Sequence, residues 1–176
     1  MRVISGKYKG FRFSKKNMPH ARPTTDRAKE SLFNILNQHF YFEDCNVLDL
    51  YAGLGSIALE FASRESKVVA VDRNYKSVKY IKDVSTSLEA DVKTVKGDAL
   101  QFVKRTTDSF DIIFVDPPYA NIADLDKLVQ LVQGNGVLKS QGWLIIEHIS
   151  SFKFSDNACF DVRDYGQSTF SFFKFD

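Results

Sequence analysis

Asp116-Pro117-Pro118-Tyr119 follows directly on the run Phe110-Asp111-Ile112-Ile113-Phe114-Val115. Short apolar runs of this kind form buried strands. An acid, two ring-locked backbone units and an aromatic ring therefore arrive together at one edge of a sheet. The set suits the holding of a planar amine, and the exocyclic amines of nucleobases are the obvious candidates. Such a nitrogen is a poor nucleophile because its lone pair is delocalised into the ring. The Asp116 carboxylate and the Pro117 carbonyl can accept its two hydrogens and draw it toward tetrahedral geometry. Pro118 has no N–H to compete for that carbonyl, and Tyr119 can stack on a base taken out of its helix or loop. No strong base is needed, because the ammonium product is itself acidic; rate comes from positioning and electrostatic orientation. The plainer alternative is a turn that ends a strand, since two prolines stop a ladder. A turn alone explains neither the acid after the apolar run nor the aromatic after the prolines.

A second group of residues offers a cofactor pocket. Asp49-Leu50-Tyr51-Ala52-Gly53-Leu54-Gly55 lies at the carboxyl end of one predicted strand and opens a helix, which is where doubly wound sheets bind ligands. The glycines let backbone approach a ligand closely, and the helix N-terminus presents N–H groups. Gly53-x-Gly55-x-x-Ala58 on its own also satisfies a relaxed dinucleotide pattern. Asp49, four residues before Gly53, opposes a pyrophosphate but attracts an ammonium group. Asp72, with Arg73 after it, ends the next strand and can take two ribose hydroxyls. Asp98, followed by Ala99, comes just after the third, where it can accept from an adenine amino group. Each acid singly reads as a turn or cap residue. Three at successive strand ends, with the Gly-x-Gly turn, fit a cationic ligand that carries both adenosine and an amino acid, namely S-adenosylmethionine.

The elements that must position these groups alternate. Thr24 or Thr25 caps a helix whose apolar stripe is Ala28, Leu32, Ile35 and Leu36. Strands are predicted over 47–50, 67–72, 92–95, 110–115 and 143–147, with helices over 56–63, 75–87, 99–104 and 124–133 between them. Segments 160–164 and 169–175 form a terminal hairpin about Tyr165-Gly166-Gln167-Ser168. Repeated strand–helix units demand a mostly parallel sheet covered on both faces, and the hairpin places one antiparallel strand in it.

At 176 residues, with 44% hydrophobic and 26% charged content, the chain fits one folded domain with a small extension. Cys45 and Cys159 have no metal or disulfide-framework spacing, so a reducing cytoplasm is expected and a metal is not. No signal peptide or membrane span is predicted. The net charge of +2 hides an asymmetry: residues 1–30 carry nine Lys/Arg against two acids, and the first 22 carry no acid at all. With its alternating Val3, Ser5, Tyr8, Gly10, Phe11 and Phe13, residues 1–21 are expected to form a basic β-hairpin arm ahead of the main domain at 22–176. Such an arm, through Lys7, Lys9, Arg12 and Arg22, suits a phosphate backbone.

These motifs together resemble class I S-adenosylmethionine-dependent methyltransferases of the RsmD type, which modify guanine N2 in 16S ribosomal RNA. The similarity includes Gly6-Lys7-Tyr8-Lys9-Gly10, the block from Arg22-Pro23-Thr24-Thr25-Asp26 to Leu36, Asp49 to Gly55, residues 116–119 and Tyr165-Gly166. The Asp-Pro-Pro-Tyr element is shared with other amino-methyltransferases, and the Arg22 to Leu36 block is the more specific one. The resemblance implies a Rossmann-like, seven-stranded α/β sheet with a reversed last strand. It implies that Thr25 helps close the methionine end of the cofactor site and that the basic arm faces 16S ribosomal RNA. Leu54 stands where a small residue is usual, and Asp72 where glutamate is more frequent. A monomer acting on RNA, free or in an assembling small subunit, is expected. The alternatives are a DNA or RNA adenine-N6 methyltransferase using the same loop, an NAD oxidoreductase, which Asp49 opposes, and a non-catalytic RNA-binding module. Glu147 and His148 are expected to be edge-of-core residues.

Overall fold

A computed structural model describes residues 1–14, 24–155, 158–166 and 168–175, and of Tyr119 the backbone only. Strand and helix patterns resolve into β1 (Asn46–Leu50), α2 (Ser56–Ala62), β2 (Lys67–Asp72), α3 (Tyr75–Leu88), β3 (Val92–Lys96), α4 (Ala99–Arg105), β4 (Phe110–Val115), α5 (Leu125–Gly134) and β5 (Leu138–His148). Helix α1 (Asp26–Leu36) precedes them; β6 (Cys159–Tyr165) and β7 (Ser168–Phe173) follow.

All seven strands form one sheet in the order β3-β2-β1-β4-β5-β7-β6. The pairs from β3 through β5 are parallel, and β7 runs antiparallel to both β5 and β6. The expected reversed last strand is present. One face carries α1, α2 and α3 over Val47, Ile112, Phe114, Ile145, Phe170 and Phe172. The other carries α4 and α5 over Leu48, Leu50, Ile113, Val115, Leu144 and Ile146. Burial on both faces is why β4 reads as a continuous apolar run.

Register places the site. Leu50 aligns with Val115, and Val115 with Ile146, so the carboxyl ends of β1, β4 and β5 lie side by side. Strand β5 begins at Leu138 rather than at Trp143. Its polar start, Lys139-Ser140-Gln141-Gly142, hides the pattern, and Gln141 sits at φ 65° beside a register shift. Residues 119–124 form a 3-10 turn ahead of α5, a feature without an apolar period to announce it.

The N-terminal segment is an ordered hairpin laid against the domain. Val3 N donates to Phe11 O at 2.9 Å and Gly10 N to Val3 O at 2.9 Å, and Arg2 bridges Arg12. Val3 and Phe13 pack on Leu59 of α2. Backbone donors complete the docking: Ile4 N and Ser5 N bond the Glu60 carboxylate at 2.9 and 3.1 Å, and Lys7 N bonds Ser63 O at 2.7 Å. Glu60 is fully buried, as is Lys29, whose Nζ lies 3.2 Å from Glu60 Oε2. Arg64 also pairs with Glu60, over the ring of Phe33. Lys29 Nζ further donates to Arg2 O at 2.5 Å and Ser56 Oγ at 3.2 Å, joining α1, the hairpin and the first residue of α2.

Candidate active site

The turn after β1 bends through three left-handed positions: Tyr51 at φ 61°, Gly53 at 55° and Gly55 at 75°. Gly55 is required twice over, since a Cβ there would also lie 2.8 Å from Ile81 Cγ1. Tyr51 lacks that freedom, and a side chain in this region costs about 1–3 kcal/mol that surrounding structure must offset. Ala52 N contributes by donating to Val71 O at 3.1 Å, and Ala52 is buried beneath the turn.

Carboxylates from three strand ends gather around this turn. Asp72 Oδ2 accepts from Gly53 N at 2.9 Å and its Oδ1 from Asn74 N at 2.8 Å, so β2 holds the glycine turn in shape. Asp49 is 2% exposed, with Oδ2 accepting from Ala58 N at 3.0 Å. Burial raises its pKa to about 8; the Ala58 N–H works against the rise and the charge of Asp72 adds to it. Asp98 caps α4, accepting from Gln101 N at 3.1 Å, while Ala99 begins that helix in the core. The Tyr51 hydroxyl is pushed up to about 12, first by burial and then by the charges of Asp98 and Asp124, against the pull of exposed Arg73. Tyr51, Asp72, Arg73 and Asp98 thus meet at one edge. Each acid has a local bonding role as well as a place in the cluster.

Asp116 is half-buried at the end of β4, and its N–H donates to Leu50 O at 3.3 Å. That bond ties the Asp116 loop to the strand that delivers the glycine turn. Pro117 is buried and Pro118 exposed; the Pro118 carbonyl accepts from Asn121 N at 2.8 Å and starts the 3-10 turn. The backbone of Tyr119 opens that turn.

Thr25 is the cap of α1, its hydroxyl accepting from Ala28 N at 3.2 Å. Thr24 next to it is buried and donates to Glu147 Oε2 at 2.5 Å, linking the start of α1 to the end of β5. Strand alternation puts His148 on the opposite face from Glu147. There its Nε2 meets Ser171 Oγ at 2.7 Å, and burial lowers its pKa. The two neighbours therefore have different fates, which their adjacency in sequence does not reveal.

Lys7, Lys9 and Arg12 are exposed. The hairpin tip carrying Lys7 and Lys9 is bonded to Ser63 at the C-terminal end of α2, the end remote from Gly55. Arg22 lies outside the described residues. Lys29 and Glu60 were not among the expected site residues. A lone acid inside the otherwise apolar helix Ser-Ile-Ala-Leu-Glu-Phe-Ala was the available signal.

The acid-rich donor set, a Gly-x-Gly turn and a strained residue at a strand end fit a cationic adenosine ligand. Asp72 retains lone pairs for a ribose after its two backbone bonds, since a carboxylate offers about four acceptor positions. Among the described residues, no group of His, Cys, Asp and Glu is arranged to hold a metal ion.

Comparison with known proteins agrees with this geometry. Residues 1–174 match the family described as Conserved hypothetical protein 95. The chain is 31% identical over 150 residues to the ribosomal RNA small subunit methyltransferase D of Escherichia coli, covering 84% of this chain and 74% of that protein. A hypothetical protein of Thermus thermophilus superposes with a TM-score of 0.86 at 24% identity, over 99% of both chains. Coclaurine N-methyltransferase, solved with SAH, shares the fold with a TM-score of 0.58 at 21% identity, over 72% of this chain and 36% of that one. The chain belongs to the Conserved hypothetical protein 95 family, the RsmD family, and is a methyltransferase with the class I fold.

Proposed function

We propose that the protein transfers a methyl group from S-adenosylmethionine to the exocyclic N2 amine of a guanine in 16S ribosomal RNA of the small subunit. The observation that carries this reading is the bond from Asp116 N to Leu50 O. It sets an amine-accepting loop beside the glycine turn at one sheet edge. The family relatives named for ribosomal RNA support the choice of substrate.

Bound S-adenosylmethionine supplies an electrophilic methyl group. Asp49, Asp72 and Asp98 would hold its charged and adenosine parts, and Thr25, Tyr51, Ala52, Gly53, Gly55, Arg73 and Ala99 would shape the walls. The Asp116 carboxylate and the Pro117 carbonyl accept the two N2 hydrogens and orient the lone pair. As the N–C bond forms and the C–S bond breaks, the nitrogen becomes acidic and releases one proton to water, with Asp116 bonded to the hydrogen that remains. Pro117 and Pro118 fix the loop so that little reorganisation accompanies transfer. The ring of Tyr119 would stack on the base. Lys7, Lys9, Arg12 and Arg22 would contact phosphates, and the enzyme would act as a monomer on an assembling subunit in the cytoplasm.

Labelled methyl transfer to unmodified small-subunit RNA, naked and assembled with protein, tests this, with the methylated nucleoside identified. N2-methylguanosine is expected; N6-methyladenosine would overturn the guanine assignment. Asp116→Ala should abolish transfer while S-adenosylmethionine binding, followed by calorimetry, changes less than about threefold.

A further inference from the structure

We infer that Glu147 is a specificity-determining residue that accepts the N1–H of the target guanine beside Asp116; the inference rests on the guanine-N2 reading. Val115 aligns with Ile146 in the parallel β4–β5 pair. Asp116 directly follows β4 and Glu147 is the next residue of β5, so strand alternation, continued one residue past Val115, directs both toward the face that carries α1 and α2. Neighbouring strands lie about 4.8 Å apart, a spacing that suits two acceptors meeting adjacent donors on one planar edge.

Guanine presents such an edge, with N1–H next to the N2 amine. Adenine offers an unprotonated N1 beside its N6 amine and would set a lone pair against a carboxylate. The Asp-Pro-Pro-Tyr loop grips an amine of either base. A second carboxylate at the neighbouring strand end separates them.

Glu147 is held for this task. It is only 8% exposed, and the Thr24 hydroxyl bonds its Oε2 at 2.5 Å, which fixes the carboxylate against the β5 end. A carboxylate has about four acceptor positions, so the bond from Thr24 is compatible with a further donor.

The test replaces the guanine identified by product mapping with 2-aminopurine in otherwise intact small-subunit RNA. This base keeps the 2-amino group but has an unprotonated N1. Transfer is compared for the wild type, Glu147→Ala and Glu147→Gln, with S-adenosylmethionine binding measured for each to confirm folding. The wild type should prefer guanine by at least about a hundredfold, because an unmet buried acceptor discriminates strongly. Glu147→Ala should bring the two bases within a few-fold. Glu147→Gln, whose amide can accept or donate, should also narrow the ratio. Taking the change in ratio between enzymes cancels any intrinsic difference in amine reactivity. A wild type that treats both bases alike, or a preference that persists in Glu147→Ala, would overturn the role of Glu147 and leave N2 methylation standing. Absence of N2-methylguanosine from the wild-type reaction would instead overturn the reading on which the inference rests.

Discussion

Glu60→Ala probes the cluster that docks the hairpin. The carboxylate accepts from Ile4 N and Ser5 N and pairs with Lys29 and Arg64. Its removal leaves Lys29, which is 0% exposed, without its anion. Breaking a buried pair from one side costs about 3–5 kcal/mol, a large part of the roughly 5–15 kcal/mol that holds a domain folded. At about 2–4 °C per kcal/mol for a chain of this size, Tm should fall by roughly 6–20 °C. Burial already lowers the Lys29 pKa against the pull of Glu60, so the variant's Lys29 should be lower still. The unfolded chain then binds the extra proton between that lowered value and 10.5. Stability of Glu60→Ala should therefore rise with pH through this window, and more steeply than in the wild type. Lys29→Met with Glu60→Met should recover at least half of the loss, since paired apolar replacements are often neutral. Urea unfolding at several pH values measures all three, and hydrogen exchange at residues 3–11 reports the hairpin. A loss below about 1 kcal/mol in Glu60→Ala, or a double variant as unstable as the single one, would refute the reasoning.

Gly6→Ala would put a Cβ 1.9 Å from Ser63 O at φ 84°, whereas Gly10→Ala meets nothing within 4 Å. Urea midpoints should show the first costing about 3 kcal/mol and the second about 1. Asp49 holds a proton in the fold up to about pH 8 and in the unfolded chain only to 3.8. Wild-type stability should thus decline as pH rises between those values and level off above, while Asp49→Asn lacks this slope in parallel urea titrations. Lys7→Gln with Lys9→Gln should weaken RNA binding with little change in Tm. It should also flatten the plot of log affinity against log salt by about 2, the signature of two lost phosphate contacts; an unchanged slope would take the hairpin tip off the RNA path.

Strands β2 and β4 were legible to the residue because apolar runs buried on both faces end abruptly in Asp72 and Asp116. The same acids point to the proposed site, since strand ends of a parallel sheet converge on one edge. Strand β5 was half hidden because its first residues are polar and bulged. The Lys29–Glu60 pairing was not legible: Glu60 stands out as a lone acid in an apolar helix, but the partners lie 31 positions apart and neither has a local pattern that demands the other. Glu147 was placed at the edge of the core, but no local pattern could reveal Thr24 reaching it across 123 positions. A local role does not bar an acid from the proposed site. Asp98 is a helix cap, as a plain turn reading would have it, and still lies in the cluster.

The position of β7 has a consequence for how the enzyme is made. It follows β6 in the chain yet lies between β5 and β6, so β6 has no neighbour in the sheet until β7 has inserted. During synthesis, β5 must wait with an open edge while the 25 residues from 149 to 173 leave the ribosome. Its His148 needs Ser171, and its Ile145 packs beside Phe172. The wall behind Asp116 and Glu147 is thus among the last parts to close, and a chain stalled after β6 would hold its Gly-x-Gly turn complete and the proposed base-binding edge unfinished.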